Sequence, residues 1–249
     1  MASAKIKSEY RCKILCFISD VYDMSQFIKL SEFVDIFLAP TPLHRDVVQA
    51  AVNKRVVYIP EAYDPIALPA GGIEDKLDMT NRICWFGFPE SFSKSMKYLL
   101  SPAFDMSSFD KKRFCILTSA NNNLCEGVEH RVFHANSFYS DTTDMNYSLL
   151  SHFCYDQALN TFIKSPNKMI TSIVRGLVPY VSATPSYSRV AKKYGMETLL
   201  YRSPKELAGK LQSADFIRES ERIGISQIRA ELINSLSPLN IAKLVLNIL

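Results

Sequence analysis

The stretch from Ser165 to Val181 leaves this chain few folds to choose from. It reads Ser165-Pro166-Asn167-Lys168-Met169-Ile170-Thr171-Ser172-Ile173-Val174-Arg175-Gly176-Leu177-Val178-Pro179-Tyr180-Val181, and both ends of a helix are marked in it. Ser165 is a good N-cap, Pro166 suits the first helical position because its missing N–H would have had no partner there, and Gly176 can take the left-handed conformation that stops a helix. Met169, Ile170, Ile173, Val174 and Leu177 recur at helical spacing and predict a core-facing stripe, while Lys168, Thr171, Ser172 and Arg175 predict a solvent-facing one. Val178–Val181 then has the length and composition of a buried strand, and Pro185-Ser186-Tyr187 opens another helix. Helix, glycine, strand and helix in succession are the alternation of an α/β domain.

The start of the Ser165 helix is also its chemically interesting end. Four N–H groups lack intrahelical partners there, the macrodipole is positive, and Lys168 stands in the first turn, an arrangement suited to phosphate. Spacing alone accounts for Lys168 equally well as a solvated surface lysine.

With 249 residues, 47% of them hydrophobic, the chain is long enough for one large or two small α/β domains. The net charge of +4 is mild and its lysines and arginines are spread out, so neither nucleic acid nor a polybasic membrane anchor is implied; an anionic small ligand suffices. The six cysteines show no zinc-type spacing, and several lie in predicted strands as small hydrophobes. No apolar run approaches the roughly 20 residues of a membrane-spanning helix, and nothing in the first residues reads as a signal peptide, which points to the cytoplasm.

Taken in order, Cys12–Ile18, Asp35–Ala39 and Arg55–Ile59 read as strands alternating with helices over Met24–Phe33 and Pro42–Ala51, a β-α-β-α-β run over residues 1–64. Residues 65–80, with Pro65, Pro69, Gly71 and Gly72, read as a linker. A second domain is expected over 81–236. Its strands are Arg82–Phe86, Phe114–Thr118 and Arg131–His134, followed by a short helix at Tyr147–Leu150 and a segment from Phe153 to Leu159 that leads into the central helix. Residues 237–249 form a closing docking helix with an apolar stripe at Ile241, Leu244, Val245 and Ile248. In an open α/β sheet ligands bind at the carboxyl ends of the strands, which makes Gly87, Ser119, Ala135 and Asn136 site candidates by position, joined by Lys94 at the next helix start.

The segment Ser165-Pro166-Asn167-Lys168, then Arg175-Gly176-Leu177-Val178-Pro179 and Pro185-Ser186-Tyr187, resembles the nucleotide-sugar segment of GT-B glycosyltransferases. Cys84-Trp85-Phe86-Gly87 through Lys94 is similar to the first strand and loop of the same C-terminal domain, and Ile18–Asp23, Val34–Thr41 and Val57–Ala62 look like successive strand exits of its N-terminal domain. The resemblance implies two Rossmann-like domains, the N-terminal one small and truncated, and transfer of a sugar from a nucleotide diphosphate sugar to a glycan or lipid-linked acceptor. It further implies polysaccharide biosynthesis, with no cofactor and no metal. Ser165, Asn167, Lys168, Lys94 and Gly87 would face the donor's diphosphate, Ala135 and Asn136 its base, and Thr171 would stand in for a ribose contact. Asp20 becomes a catalytic candidate on the acceptor side. Two glutamates of the family pattern are absent: Ile163 and Thr171 occupy their places.

Three further expectations complete the reading. The short first sheet leaves an edge for a second copy, a partner subunit or a peripheral membrane contact to cover. A non-catalytic nucleotide-sugar binder, or the donor half of a split transferase, explains the missing glutamates. A flavodoxin-like interaction domain explains the α/β halves without chemistry.

Overall fold

Two all-parallel sheets carry the architecture. The computed structural model describes residues 12–18, 24–68, 82–96, 111–119, 124–134, 137–152, 158–213 and 219–249. These sort into two units: Met1–Ala62 with Asp156–Ser165 and Leu236–Leu249, and Tyr63–Tyr155 with Pro166–Ser235.

In the first unit, strands β1 (Leu15–Phe17), β2 (Ile36–Ala39) and β3 (Arg55–Tyr58) pair in that order. The register sets Leu15 opposite Ile36 and Ile36 opposite Arg55. All four residues of β2 are buried, as expected for a parallel strand covered on both faces. Helices α1 (Met24–Leu30) and α2 (Pro42–Ala51) connect the strands. Thr41 caps α2 through its Oγ1, which accepts the His44 N–H at 3.0 Å, and Pro42 follows at the first helical position. On one side of the sheet Phe37, Ala39, Val48, Val56 and Phe27 form a core joined by Ile163. On the other, Ile36, Leu38 and Ile59 pack with Ile241, Val245 and Ile248 from the C-terminal segment, while Leu244 is exposed. Ile163 ends helix α5 (Ala158–Ile163), whose last carbonyl accepts a hydrogen bond from Thr41 Oγ1.

The second unit is a six-stranded sheet in the order β6-β5-β4-β7-β8-β9. Its strands are β4 (Ile83–Phe86), β5 (Phe114–Thr118), β6 (Glu129–Val132), β7 (Tyr147–Leu150), β8 (Val178–Ser182) and β9 (Leu200–Tyr201). The chain builds outward from β4 in one direction, then returns to the other side of β4 and builds outward again. This is the doubly wound order, and its switch point lies between β4 and β7, where open α/β sheets receive their ligands.

One element differs in kind from the sequence reading. Tyr147–Leu150 is not a helix but β7, the strand at the switch point, paired with both β4 and β8. A segment of four residues, Tyr147-Ser148-Leu149-Leu150, fits either assignment by pattern; here all four residues are buried between two strands, and burial on both faces decides for strand. The third strand runs Glu129–Val132, two residues earlier than expected.

Helix α6 (Asn167–Arg175) also departs from expectation at its start and on its polar face. It begins one residue late: Pro166, with φ −78° and ψ 10°, is the cap, and its carbonyl accepts the Ile170 N–H at 3.0 Å. The other end is as expected. Gly176 takes φ 91°, its N–H reaches Ile173 O and the Leu177 N–H reaches Ser172 O, both at 2.9 Å, closing a Schellman turn.

The polar face is not turned to solvent. Every residue from Met169 to Arg175 is buried, because α6 is covered on its second side as well. Ser172 Oγ meets Ser148 Oγ at 2.8 Å, and Arg175 donates from Nε to Thr142 Oγ1 at 2.6 Å and from Nη2 to Tyr139 O at 3.0 Å. The Arg175 guanidinium also lies 4.0 Å from the Tyr139 ring centroid, in helix α4 (Phe138–Asp141). From helix α9 (Glu219–Ser235), Arg229 Nε donates to Val174 O at 2.7 Å. Two arginines thus sit at the negative end of the α6 dipole. The polar residues of α6 are therefore internal hydrogen-bonding groups that fix how it packs.

Candidate functional site at the strand exits

The site is built from the turn that leaves β4. Gly87 has φ 153°, a conformation that favours glycine, and its N–H is tied to Leu117 O of β5 at 3.1 Å. A Cβ here would stand 2.6 Å from Lys168 Nζ and 3.0 Å from the Trp85 ring. The missing side chain is what lets Lys168 in. Its Nζ donates to Phe86 O at 2.9 Å and lies 5.2 Å and 5.6 Å from the Trp85 and Phe86 ring centroids. One ammonium is therefore held by a carbonyl at the end of β4 and by two aromatic faces, each of which attracts a cation.

Of the residues singled out from sequence, Gly87 and Lys168 are brought together. Asn167 sits one position before Lys168, half-buried, and its Oδ1 accepts from Thr171 Oγ1 at 3.2 Å. Thr171 is buried, and its hydroxyl also accepts the Asp64 N–H at 3.4 Å. Ser119 is exposed at the exit of β5, two residues beyond the carbonyl that anchors Gly87. Lys94 lies in helix α3 (Pro89–Met96), but its side chain is outside the described part of the chain. Ser165 is buried in the first unit. Asp20, Ala135 and Asn136 lie outside the described residues.

Sequence reasoning missed the exit of β7. There the His152 N–H donates to Ser182 Oγ at 3.0 Å, and His152 Nε2 lies 2.6 Å from Tyr187 OH. Tyr187 is fully buried, and burial raises its phenol well above the usual range, so the hydroxyl keeps its proton. Thr184 caps helix α7 (Pro185–Tyr194), its Oγ1 accepting the Tyr187 N–H at 3.3 Å. The register of β4 with β7 pairs Ile83 with Tyr147 and Cys84 with Ser148, and carried forward it sets Gly87 level with Ser151. His152 thus follows the residue beside Gly87. Reading Tyr147–Leu150 as a helix hid this, because a strand there would have marked Ser151 and His152 as an exit.

Asp144 is held by arginine. Asp144 Oδ1 and Oδ2 receive Arg131 Nη1 and Nη2 at 2.9 Å and 2.8 Å, and Arg82 bonds both Asp144 and Glu129. Among the described residues, no group of three His, Cys, Asp or Glu side chains is placed to hold a metal ion.

A six-stranded doubly wound sheet with a glycine turn and a lysine at its switch point, in a chain that carries a second, smaller parallel sheet, defines a Rossmann-type protein of the GT-B fold. Solved structures match it over nearly the whole chain. HepE (Alr3699) of Anabaena, solved with UDP and glucose, is 10% identical, with a TM-score of 0.64 over 97% of this chain and 72% of that one. TarM is 12% identical, with a TM-score of 0.66 over 96% of this chain and 51% of that one. WaaG, a glycosyltransferase involved in lipopolysaccharide biosynthesis, is 10% identical, with a TM-score of 0.59 over 94% and 78%. The chain thus spans about half the length of TarM and about three quarters of HepE and WaaG. No protein-family model matches the sequence, and no curated protein matches it.

Proposed function

We propose that the protein is a glycosyltransferase that binds a nucleotide diphosphate sugar at the exit of β4 and the start of α6. The observation that carries this reading is the Gly87–Lys168 pair: a side-chain-free turn and a positioned ammonium at the switch point of a doubly wound sheet. The fold neighbours support it, since HepE was solved with UDP and glucose and WaaG is a glycosyltransferase.

The chemistry follows from the leaving group. Breaking the sugar–phosphate bond builds negative charge on the diphosphate, and donors already aimed at that charge stabilise the transition state more than the ground state. The first-turn amides of α6 have no acceptor within the helix and point along its positive dipole end. Lys168 adds a full charge beside them. Asn167 presents an amide steadied by Thr171, so Thr171 acts through Asn167. No metal and no cofactor enter this scheme, and the acceptor is a glycan or a lipid-linked sugar. Incubating the protein with UDP-, GDP-, ADP- and dTDP-sugars, with and without glycan and glycolipid acceptors, tests it: acceptor-dependent release of the nucleoside diphosphate is expected, and no release from any donor would defeat it.

A second reading is favoured by one observation. Ile163 and Thr171, where the resemblance calls for glutamates, are buried in packed surroundings, Ile163 in an apolar core. A donor-binding protein without transfer, or the donor half of a split transferase, fits that. It would bind nucleotide sugars and release nothing alone.

A further inference from the structure

Phe88 combines two features that do nothing for the fold, at a position beside the site. It follows Gly87 directly and is 71% exposed, whereas Ile83–Phe86 before it are all buried. It is also the cap of α3: its carbonyl accepts the N–H groups of Ser91 at 2.9 Å and Phe92 at 3.1 Å, and Pro89 takes the first helical position. A cap residue is best when its side chain offers an oxygen to the first turn, and phenylalanine offers none. Serine at residue 88 would serve the helix better and leave no apolar ring in water. Places where a chain departs from its own local rules are expected at functional sites.

We propose that Phe88 is the platform for the transferred sugar, its ring lying against the C–H face of the donor's pyranose. This rests on the donor-site reading above and adds the part of the donor that it leaves unassigned. The lysine and the helix amides serve the anionic diphosphate, and an aromatic ring adds nothing to an anion. The group within reach of a ring one residue from Gly87 is one bonded directly to a phosphate, as the transferred sugar and the ribose both are, whereas the nucleobase stands a whole ribose further off; of the first two, the pyranose offers the broader C–H face. The backbone of Phe88 is pinned by the two cap hydrogen bonds and by the bond from Gly87 N–H to Leu117 O, so the ring projects from a fixed point.

Titration calorimetry on wild type, Phe88→Ala, Phe88→Ser, Phe88→Tyr and Lys168→Ala, with UDP, GDP and ADP and with UDP-glucose, GDP-mannose and ADP-glucose, tests the assignment. Phe88→Ala and Phe88→Ser should bind the preferred nucleoside diphosphate as wild type does but bind its sugar about 2- to 10-fold more weakly, the range for aromatic contacts beyond burial. Phe88→Tyr should keep both affinities, and Lys168→Ala should lose both. Phe88→Ser should also melt about 2–4 °C higher, through its better cap. Equal weakening for diphosphate and sugar would assign the ring to the nucleoside, and unchanged affinity for both would leave it no ligand; either overturns the platform while the donor site stands. Wild type that binds no nucleotide at all would remove the donor-site reading, and the platform with it.

Discussion

Gly87 and Lys168, 81 positions apart in sequence, occupy one another's space: the ammonium of Lys168 fills the volume that a side chain on Gly87 would need. A loop at the end of β4 and the first turn of α6 are thereby locked into one feature. Gly87→Ala should disturb both. The new methyl must shift the Lys168 ammonium, which yields easily, and the Trp85 ring, which is only 2% exposed and yields less. With the backbone strain at φ 153°, a loss of about 1–3 kcal/mol in stability is expected. Urea denaturation measures it, and calorimetry on the same sample should show weaker nucleotide binding.

Lys168→Met keeps the length and apolar stem of the side chain and removes its charge. Nucleoside diphosphate affinity should fall by about 1–3 kcal/mol, the span of a charge-assisted hydrogen bond. The melting temperature should move little, because the hydrogen bond to Phe86 O at 2.9 Å is made at a half-buried position. Paired melting and titration curves separate the two effects.

Arg175 tests whether the buried polar side of α6 holds the fold. Arg175→Ala would take from Thr142 Oγ1 its Arg175 donor, leave Tyr139 O only the longer bonds from Thr142, at 3.3 Å and 3.4 Å, and deprive the Tyr139 ring of its cation, so a loss of about 2–4 kcal/mol is expected. Arg175→Met, which refills the volume, should recover part of that. A variant as stable as wild type in urea would mean that α6 is held by its apolar side alone.

Acid should loosen the second unit through Asp144. Its hydrogen bonds from Arg131 hold the carboxyl below the usual aspartate range, against the burial that would raise it. A depressed pKa means that the carboxylate stabilises the fold above the unfolded value near ~4 and that this contribution is lost as pH falls through the folded value. Urea midpoints should therefore drop below pH ~4, and Asp144→Asn should be weaker at neutral pH and flatter in acid.

The cysteines should differ in reactivity according to burial. Desolvation raises Cys84 far above the usual thiol range and pushes Cys115 up to about 12, while Cys12 is exposed. Iodoacetamide at mildly alkaline pH should label Cys12 in the native protein and reach Cys84 and Cys115 only after unfolding, as peptide mass spectrometry would show.

What could be read from the sequence divides along a physical line. Local signals were legible: the helix over Pro42–Ala51, Gly176 ending α6 in a left-handed turn, and the apolar stripe Met169, Ile170, Ile173, Val174 and Leu177 going to a core. Each depends on neighbours in sequence. Long-range packing was not legible. Nothing local distinguishes Tyr147–Leu150 as strand from helix, since burial between β4 and β8 decides it. Nor does any local pattern show that Ser172 and Arg175 would be met by Ser148, Thr142 and Tyr139 from 24 to 36 residues away. For the site, Gly87 and Lys168 were found as residues that suit phosphate, but their contact is a property of the sheet. His152 was missed because its strand was.

The most direct test of the account is a thermal melt of wild type and Lys168→Met with millimolar UDP, GDP, ADP and dTDP and their sugars. A ligand present at about 100 times its dissociation constant stabilises the native state by about 2.7 kcal/mol. The donor-site account expects one nucleotide series to raise the melting temperature of wild type by several degrees, and that rise to shrink sharply in Lys168→Met. No shift with any nucleotide, or an equal shift in both proteins, would contradict a donor site at Gly87 and Lys168.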